Sequence, residues 1–150
     1  MQEPGQRIVF VDADEAMRAN RRRVGRMQAR HMRLENGFSI VAVCDGEPVG
    51  LISISWRELP APLPATGEGF VDIIEVRQRF RRRGVGRQLV EMASARIAER
   101  GCYQIRAWSS EDKVAAIAMW KALGFALCPG RETFGRGRRE VNGCFVARVL

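Results

Sequence analysis

A strand, a glycine-containing loop, a helix and a second strand follow one another in this chain, and this unit most constrains the fold. Residues 70–76, FVDIIEV, are rich in β-branched residues and predict a buried strand. Apolar residues then recur on one face of a helix, at Val85, Leu89, Met92, Ala93 and Ile97. Gly101 is placed to end that helix, and residues 103–108, YQIRAW, predict the next strand. A helix between two strands predicts a crossover connection, so the two strands should be parallel.

The segments before this unit predict a strand, short helices and a hairpin. Residues 7–11 predict a strand, after which Asp12 or Asp14 caps one helix or a pair of helices. Residues 37–56 predict a hairpin that turns at Asp45-Gly46. Residues 58–69 contain three prolines and predict a surface loop.

The segments after the unit predict a second helix and two more strands. The helix runs from about Asp112 to Leu123 and is closed by Gly124. A loop around residues 129–140 separates the last two strands. Together these elements predict a mixed α/β sheet with helices packed on it, in a single domain spanning residues 1–150.

Composition and charge narrow the class of protein. With 46% hydrophobic and 28% charged residues the chain is expected to be globular. No apolar run approaches the roughly 18 residues of a membrane span, and the first residues do not form a secretion signal, so we expect a cytoplasmic protein. The net charge of +8 favours anionic partners without choosing among them.

The four cysteines do not predict a metal site or a disulfide framework. None forms a C-x-x-C pair, and the chain has one histidine, His31, which we expect on a helix surface. Each cysteine has an apolar neighbour, which predicts buried free thiols. We therefore expect no metal.

The loop between strand and helix, RRRGVGR at residues 81–87, predicts a phosphate cradle. The first N–H groups of a helix have no partner within it, and glycines at positions 84 and 86 let an anion approach the backbone. The loop is not a Walker loop, because no Lys-Ser or Lys-Thr follows the second glycine. It also lacks the third glycine of a dinucleotide fingerprint, since Leu89 stands there.

Two linked motifs resemble the GNAT superfamily of N-acetyltransferases. Residues 81–86 match its Q/R-x-x-G-x-G/A motif, and Val76 stands where the family places a strand valine. Residues 113–125, KVAAIAMWKALGF, resemble the family's second signature helix. The order of elements is similar from about residue 6 to the end.

This resemblance implies a fold and a co-substrate. The fold is a mostly antiparallel sheet of six to seven strands flanked by helices, with central parallel strands that splay apart. The co-substrate is acetyl-coenzyme A (acetyl-CoA), whose pantetheine arm would bind the backbone of Ile74, Glu75 and Val76. Its pyrophosphate would take the N–H groups of residues 82–87, which are Arg82, Arg83, Gly84, Val85, Gly86 and Arg87. Arg81 and Arg83 are candidates to contact phosphates, whereas the alternative for Arg77, Arg79 and Arg82 is that they are only solvated.

The second signature departs from the family pattern at two positions. Lys113 stands where the family often has asparagine, and Trp120 where it often has the tyrosine that protonates the leaving thiolate. An indole N–H cannot serve as that acid. Lys113 and Trp120 are nevertheless candidates to contact the coenzyme, with core packing as the equal alternative for Trp120.

The reaction that the resemblance implies is direct attack of an amine on the thioester in a ternary complex. Asp72 and Glu75 are the candidate general bases, although strand alternation points them to opposite faces unless a bulge intervenes. The alternative for each carboxylate is an ion pair with a nearby arginine, and no base is needed if the amine arrives neutral or loses its proton through water. Glu58 and Glu68 are candidates to bind a cationic acceptor.

Two other functions remain open at this point. The missing tyrosine is compatible with an acyl-CoA sensor that performs no catalysis. The arginine clusters 21–23, 77–83 and 136–139 are compatible with nucleic-acid binding, although no helix-turn-helix or RNA-binding sheet is evident. The acceptor, a small molecule or a protein amine, is not identified by the sequence, and association into a homodimer is left open.

Overall fold

A computed structural model describes residues 5–59 and 66–150, which contain seven strands in one sheet. The strands are β1 (Ile8–Asp12), β2 (Gly37–Cys44), β3 (Glu47–Glu58), β4 (Gly67–Val76), β5 (Gln104–Ser110), β6 (Ala126–Phe134) and β7 (Arg139–Val149). The helices are α1 (Glu15–Ala19), α2 (Arg21–Val24), α3 (Arg26–His31), α4 (Val85–Glu99) and α5 (Val114–Ala122), with a 3₁₀ turn at Gln78–Phe80. The predicted mixed α/β class is confirmed.

The sheet is antiparallel except at its centre. Its strand order is β1-β2-β3-β4-β5-β7-β6, and β4 and β5 are the parallel pair that the crossover predicted. These two strands pair only from Glu68↔Gln104 to Phe70↔Arg106 and then separate. We call the gap between residues 71–76 of β4 and residues 107–110 of β5 the notch.

Helices cover both faces of the sheet. Helix α4 buries its apolar face on strands β2 to β5, where Leu89, Ala93 and Ile97 have no exposed surface. Gly69 of β4 permits this packing, because a Cβ there would lie 2.3 Å from the Ile97 side chain. On the opposite face Met32, which follows α3, packs in a smaller core with Val41 and Leu51. The notch therefore lies between two faces of the sheet that are covered by different helices.

Helix termini follow the sequence signals closely. Asp14 caps α1, because its carboxylate accepts the N–H of Met17 at 2.8 Å. Gly101 and Gly124 follow α4 and α5 with positive φ angles, as predicted for helix-ending glycines. Helix α5 begins at Val114, two residues later than Asp112, and Lys113 is its N-cap. His31 is exposed at the end of α3, as expected.

Both predicted loops are shorter than expected. Strand β3 continues to Glu58 and β4 begins at Gly67, so both ends of the interval 58–69 are strand, and residues 60–65 lie outside the described residues. The interval 129–140 is mostly strand, because β6 and β7 pair as far as Phe134↔Arg139. Antiparallel pairing extended these strands through residues whose composition suggested a loop.

The cysteines are free thiols, but not all are buried. Cys44 and Cys144 are buried and Cys102 is half-buried, whereas Cys128 is exposed. Cys128 lies on β6, an edge strand with little cover, so the prediction of burial is wrong there. None of the helices in the described part of the chain is long and apolar enough to cross a bilayer.

Candidate active site

The notch leaves one edge of β4 without a partner strand. On its other edge β4 pairs with β3 as far as Gly50↔Val76, but its pairing with β5 ends at Phe70. The main-chain groups of residues 71–76 that point toward β5 are therefore not used in the sheet. An extended ligand lying in the notch would find backbone donors and acceptors along this edge. Of the three residues predicted to bind the pantetheine arm, Glu75 directs its carbonyl toward Gly50 of β3, and the Val76 carbonyl already accepts from the Arg81 Nε.

The loop after β4 carries a run of unused N–H groups. The N–H of Arg81 donates to the Gln78 carbonyl at 3.2 Å, and the N–H of Gln88 donates to the Gly84 carbonyl at 3.0 Å. Between these two bonds, the N–H groups of residues 82–87 have no main-chain acceptor within the described residues. This is the set that the sequence predicts for the pyrophosphate, at the positive end of the α4 dipole.

The two glycines of this loop serve different needs. Gly84 is the N-cap of α4 at φ +80°, a left-handed conformation, and a Cβ there would meet nothing within 4 Å. Gly86 lies inside the first turn, and its Cβ would lie 3.3 Å from the Met119 sulfur of α5. The first glycine thus permits the turn, and the second permits close packing of α4 against α5.

Several arginines of the loop hold the loop itself. The Arg81 Nε donates to the Val76 carbonyl at 2.8 Å, which joins the loop to the end of β4. The Arg79 and Arg83 guanidiniums lie 4.9 and 5.4 Å from the centre of the buried Phe80 ring. Arg77 donates to the Arg23 carbonyl and is also exposed, so it has a structural contact in addition to its contact with solvent.

A bulge in β4 places both candidate bases on the same side of the sheet. The β3–β4 register shifts between Ser53↔Ile73 and Ile54↔Val71, which leaves Asp72 as the extra residue. Asp72 and Glu75 consequently both face α3 and the segment after it. The sequence analysis left a bulge open as the exception to simple alternation, and the structure has that bulge, which changes the parity of the strand.

Asp72 is committed to hydrogen bonds with its neighbours. Its carboxylate accepts from the Arg33 Nε at 2.9 Å and from the Ser55 hydroxyl at 3.0 Å. Arg57 lies 4.0 Å away, and the Asp72 side chain is 12% exposed. These contacts match the alternative in which this carboxylate pairs with arginine.

Glu75 forms fewer side-chain contacts than Asp72. Its Oε2 accepts from the Gln28 amide at 2.6 Å, and no cation lies within salt-bridge distance of it among the described residues. A cavity of about 40 Å³ adjoins Glu75 and is lined also by Gln28, Gly50 and Leu51. That volume is large enough for a water molecule.

Glu68 is part of the sheet and is not placed to bind an acceptor. It is 1% exposed and accepts from the Arg106 Nε at 2.9 Å and from the Gln104 amide at 2.7 Å. Its position in β4 buries it at the closed end of the notch, so the expectation of a loop residue that binds a cation is wrong. Glu58 is exposed at the end of β3.

The two residues that depart from the family pattern lie at opposite ends of α5. Lys113 is the N-cap and forms no side-chain cap, because an ammonium has no acceptor for helix N–H groups. Trp120 is 1% exposed, and its ring centre lies 4.7 Å from that of Phe125. Its indole N–H donates to the Ser109 hydroxyl of β5 at 3.2 Å. This burial supports the core-packing alternative for Trp120.

Comparison with known proteins agrees with this geometry. The model of the acetyltransferase (GNAT) family matches residues 9–125, which include the notch, the glycine loop and α5. This chain belongs to the GNAT acetyltransferase family. Membership of this family makes the GNAT domain an acyltransferase. A search of the curated proteins finds no match.

Solved structures similar to the GNAT domain share its fold at low sequence identity. Arabidopsis thaliana NAA60 in complex with acetyl-CoA matches with a TM-score of 0.76 and 13% identity, over 96% of this chain and 99% of that one. The ribosomal-protein-S18-alanine N-acetyltransferase from Escherichia coli matches with a TM-score of 0.70 and 17% identity, over 96% and 94%. An IAA acetyltransferase from Bacillus cereus matches with a TM-score of 0.69 and 14% identity, over 96% and 100%.

The structure also brings in residues that sequence reasoning missed. Arg33 and Ser55 hold Asp72, and Ser109 accepts the Trp120 N–H. These contacts join residues on different elements, so no local sequence motif predicts them. The serine and arginine side chains carry no periodic signal that would have found them.

Proposed function

We propose that this GNAT domain transfers the acetyl group of acetyl-CoA to a primary amine by direct attack in a ternary complex. The observation that carries the proposal is the continuity of two unused backbone surfaces. The free edge of β4 from Val71 to Val76 leads into the loop whose N–H groups 82–87 lack acceptors. The first suits the amides of a pantetheine arm, and the second suits its pyrophosphate.

The two faces of the notch suit different partners. Asp72 and Glu75 lie on the face covered by α1–α3, so this is the side from which we propose the amine approaches. The amine nitrogen attacks the thioester carbon, and the carbon–sulfur bond then breaks with its electron pair on sulfur. The proton lost by the amine passes to Glu75, directly or through water in the adjoining cavity. Glu75 suits this role better than Asp72, whose oxygens are already occupied by Arg33 and Ser55.

No metal has a role in this proposal. Among the residues that the structure describes, no three His, Cys, Asp or Glu side chains are grouped so that they would hold an ion. Amine attack on a thioester needs a neutral nitrogen and a departing thiolate. Both requirements are met by proton acceptors and hydrogen-bond donors of the kinds found here.

The acceptor is proposed only as a class. One similar structure is named for the alanine of a ribosomal protein, and another is titled a nourseothricin acetyltransferase. These names differ too much to select an acceptor at identities of 17% and 24%. The primary amine is therefore proposed from the carboxylates beside the notch and not from these names.

The alternative functions have less support. Arginines 77, 79, 81 and 83 are exposed, but they also contact Arg23, Phe80 and Val76, so each has a structural role that does not require nucleic acid. A sensor without catalysis remains the second candidate, because Trp120 replaces the expected acid and is buried. The free thiols favour a reducing compartment, and we propose that the domain works in the cytoplasm.

A binding measurement followed by an acceptor panel tests the proposal. With acetyl-CoA at roughly 100 times its Kd, linkage adds about 2.7 kcal/mol to the free energy of unfolding. The melting temperature should then rise by about 5–10 °C. Free thiol release should appear with at least one amine in a panel of small amines and peptide N-termini. Absence of binding in calorimetry would contradict the proposal, and binding without thiol release from any amine would favour the sensor.

A further inference from the structure

The hydrogen bond between Trp120 and Ser109 orients a hydroxyl beside the notch. An indole N–H is a donor only, so the Ser109 oxygen must be the acceptor of this 3.2 Å bond. Within the described residues it is the one side-chain hydrogen bond of Ser109. The buried indole thus holds the oxygen in place, and the hydroxyl proton is left to point away from Trp120.

Ser109 lies on β5 beyond the point where β4 leaves it. The last β4–β5 pair is Phe70↔Arg106, and Ser109 is three residues farther along β5, about 10 Å. On its other side β5 continues to pair with β7, at Ser109↔Cys144. Ser109 shares parity with Ile105 and Ala107, which face the core under α4 and α5. Its half-buried hydroxyl therefore borders the notch on the helix side, opposite Asp72 and Glu75.

Other donors in the region are placed less well. The chain has one tyrosine, Tyr103, which is 51% exposed and precedes β5 at the closed end of the notch. Trp108 has a buried N–H without a partner among the described residues, but its ring lies against Phe134 of β6. Its parity directs it to the face opposite Ser109. No phenol is therefore at hand to assist a leaving thiolate.

We propose that the Ser109 hydroxyl donates a hydrogen bond to the coenzyme sulfur as the carbon–sulfur bond breaks, with Trp120 as the positioning residue. This inference rests on the proposed function. The amine attacks from the Glu75 face, the nitrogen–carbon bond forms, and the electron pair of the broken bond leaves on sulfur at the Ser109 face. Ser109 keeps its proton throughout and lowers the energy of the negative sulfur. The amine proton goes to Glu75 or water, and the thiolate is protonated by solvent after release.

The hydrogen bond from Ser109 should stabilise the transition state, in which the sulfur carries negative charge, more than the ground state. The thioester sulfur is neutral in the ground state, so Ser109→Ala should leave the KM for acetyl-CoA nearly unchanged. A hydrogen bond to a charged group is worth enough that kcat should fall roughly 10- to 100-fold. Ser109→Thr retains the hydroxyl and should recover most of the rate. A loss confined to packing would not be rescued in this way.

A binding experiment tests the contact without any acceptor. Calorimetry would compare free CoA with desulfo-CoA at about pH 7 and about pH 10, because the coenzyme thiol is mostly neutral at the first and largely ionised at the second, and the preference should be read at the higher pH. The wild-type protein and Ser109→Thr should prefer CoA by roughly 10-fold or more, and Ser109→Ala should lose that preference. Thr133→Ala is the control for loss of a strand hydroxyl, because Thr133 is exposed on β6 and lies outside the notch. Its preference for CoA should equal that of the wild-type protein.

The outcomes separate this inference from the proposed function. If the wild-type protein binds neither compound, the proposed function fails. If it binds both equally, or if Ser109→Ala keeps the preference while circular dichroism shows a native fold, the role of Ser109 is overturned. Trp120→Phe keeps most of the buried ring but removes the N–H, and it should reduce the preference in part. An unchanged preference in Trp120→Phe would overturn the positioning role of Trp120.

Discussion

At the scale of single residues, Gly86 is required for packing as well as for the proposed phosphate cradle. Its Cβ position lies 3.3 Å from the Met119 sulfur and 3.9 Å from a Val76 methyl. Gly86→Val should therefore lower the melting temperature as well as the affinity for acetyl-CoA. Overpacking of this kind costs about 1–3 kcal/mol. Thermal melting and calorimetry on the same sample measure the two effects.

A second substitution separates packing from ligand exclusion. Met119→Ala removes the side chain that the new valine would press, so Gly86→Val combined with Met119→Ala should melt higher than the sum of the single effects predicts. If affinity stays low in this double variant, the valine blocks the ligand directly. Strict additivity of the two melting shifts would show that Gly86 and Met119 do not interact.

Glu75 is the residue on which the proposed proton transfer depends. Glu75→Gln keeps the size of the side chain and removes the base, so kcat should fall roughly 100-fold or more while acetyl-CoA affinity stays within a few-fold. Asp72→Asn is the comparison: it weakens the bonds to Arg33 and Ser55 and should act mainly on stability. Initial rates with an identified acceptor decide the point, and an unaltered kcat in Glu75→Gln would exclude Glu75 as the base.

At the scale of elements, the closed end of the notch is held by an ion pair between β4 and β5. Glu68 is 1% exposed and meets Arg106, whose guanidinium also lies 5.2 Å from the centres of the Phe70 and Phe145 rings. Removing one partner of a buried pair costs roughly 3 kcal/mol. Glu68→Gln should therefore lower the melting temperature by roughly 6–12 °C.

An exposed ion pair on the β6–β7 hairpin supplies the control for this prediction. Arg131 and Glu140 are 3.2 Å apart, with side chains 69% and 65% exposed. Exposed pairs contribute about 0–1 kcal/mol, so Glu140→Gln should change the melting temperature by no more than a few degrees. Equal shifts in Glu68→Gln and Glu140→Gln would show that burial of Glu68 does not matter to the sheet.

At the scale of the whole molecule, charge complements the proposed ligand. The chain carries 25 Lys and Arg against 17 Asp and Glu, and an acyl-CoA is a polyanion. Long-range attraction is screened as the Debye length falls from about 30 Å at 0.01 M salt to about 3 Å at 1 M. The affinity for acetyl-CoA should fall steadily across that range in calorimetric titrations. An affinity independent of salt would mean that backbone contacts alone hold the phosphates.

Much of the fold was determined by local patterns in the sequence. Strand 70–76, the glycine loop and the amphipathic helix ending near Gly101 are each readable from neighbouring residues, and a crossover of this kind requires a parallel pair. The free N–H groups of residues 82–87 follow from the same local pattern, because these residues form the glycine loop and the first turn of α4. The family could be recognised for this reason: its two motifs are short and continuous in the chain.

Only the tertiary structure determined which side chains surround the site and what they contact. The β4 bulge depends on register with β3, and it brings Asp72 and Glu75 to one face against the simple alternation of a strand. Glu68 finds Gln104, 36 residues away, and Trp120 finds Ser109 across the β5–α5 contact. Such contacts arise from the packing of whole elements, where small shifts in register change every partner. Periodicity and composition do not predict such contacts, so the contacts of Glu68, Trp120 and Ser109 could be identified only in the folded chain.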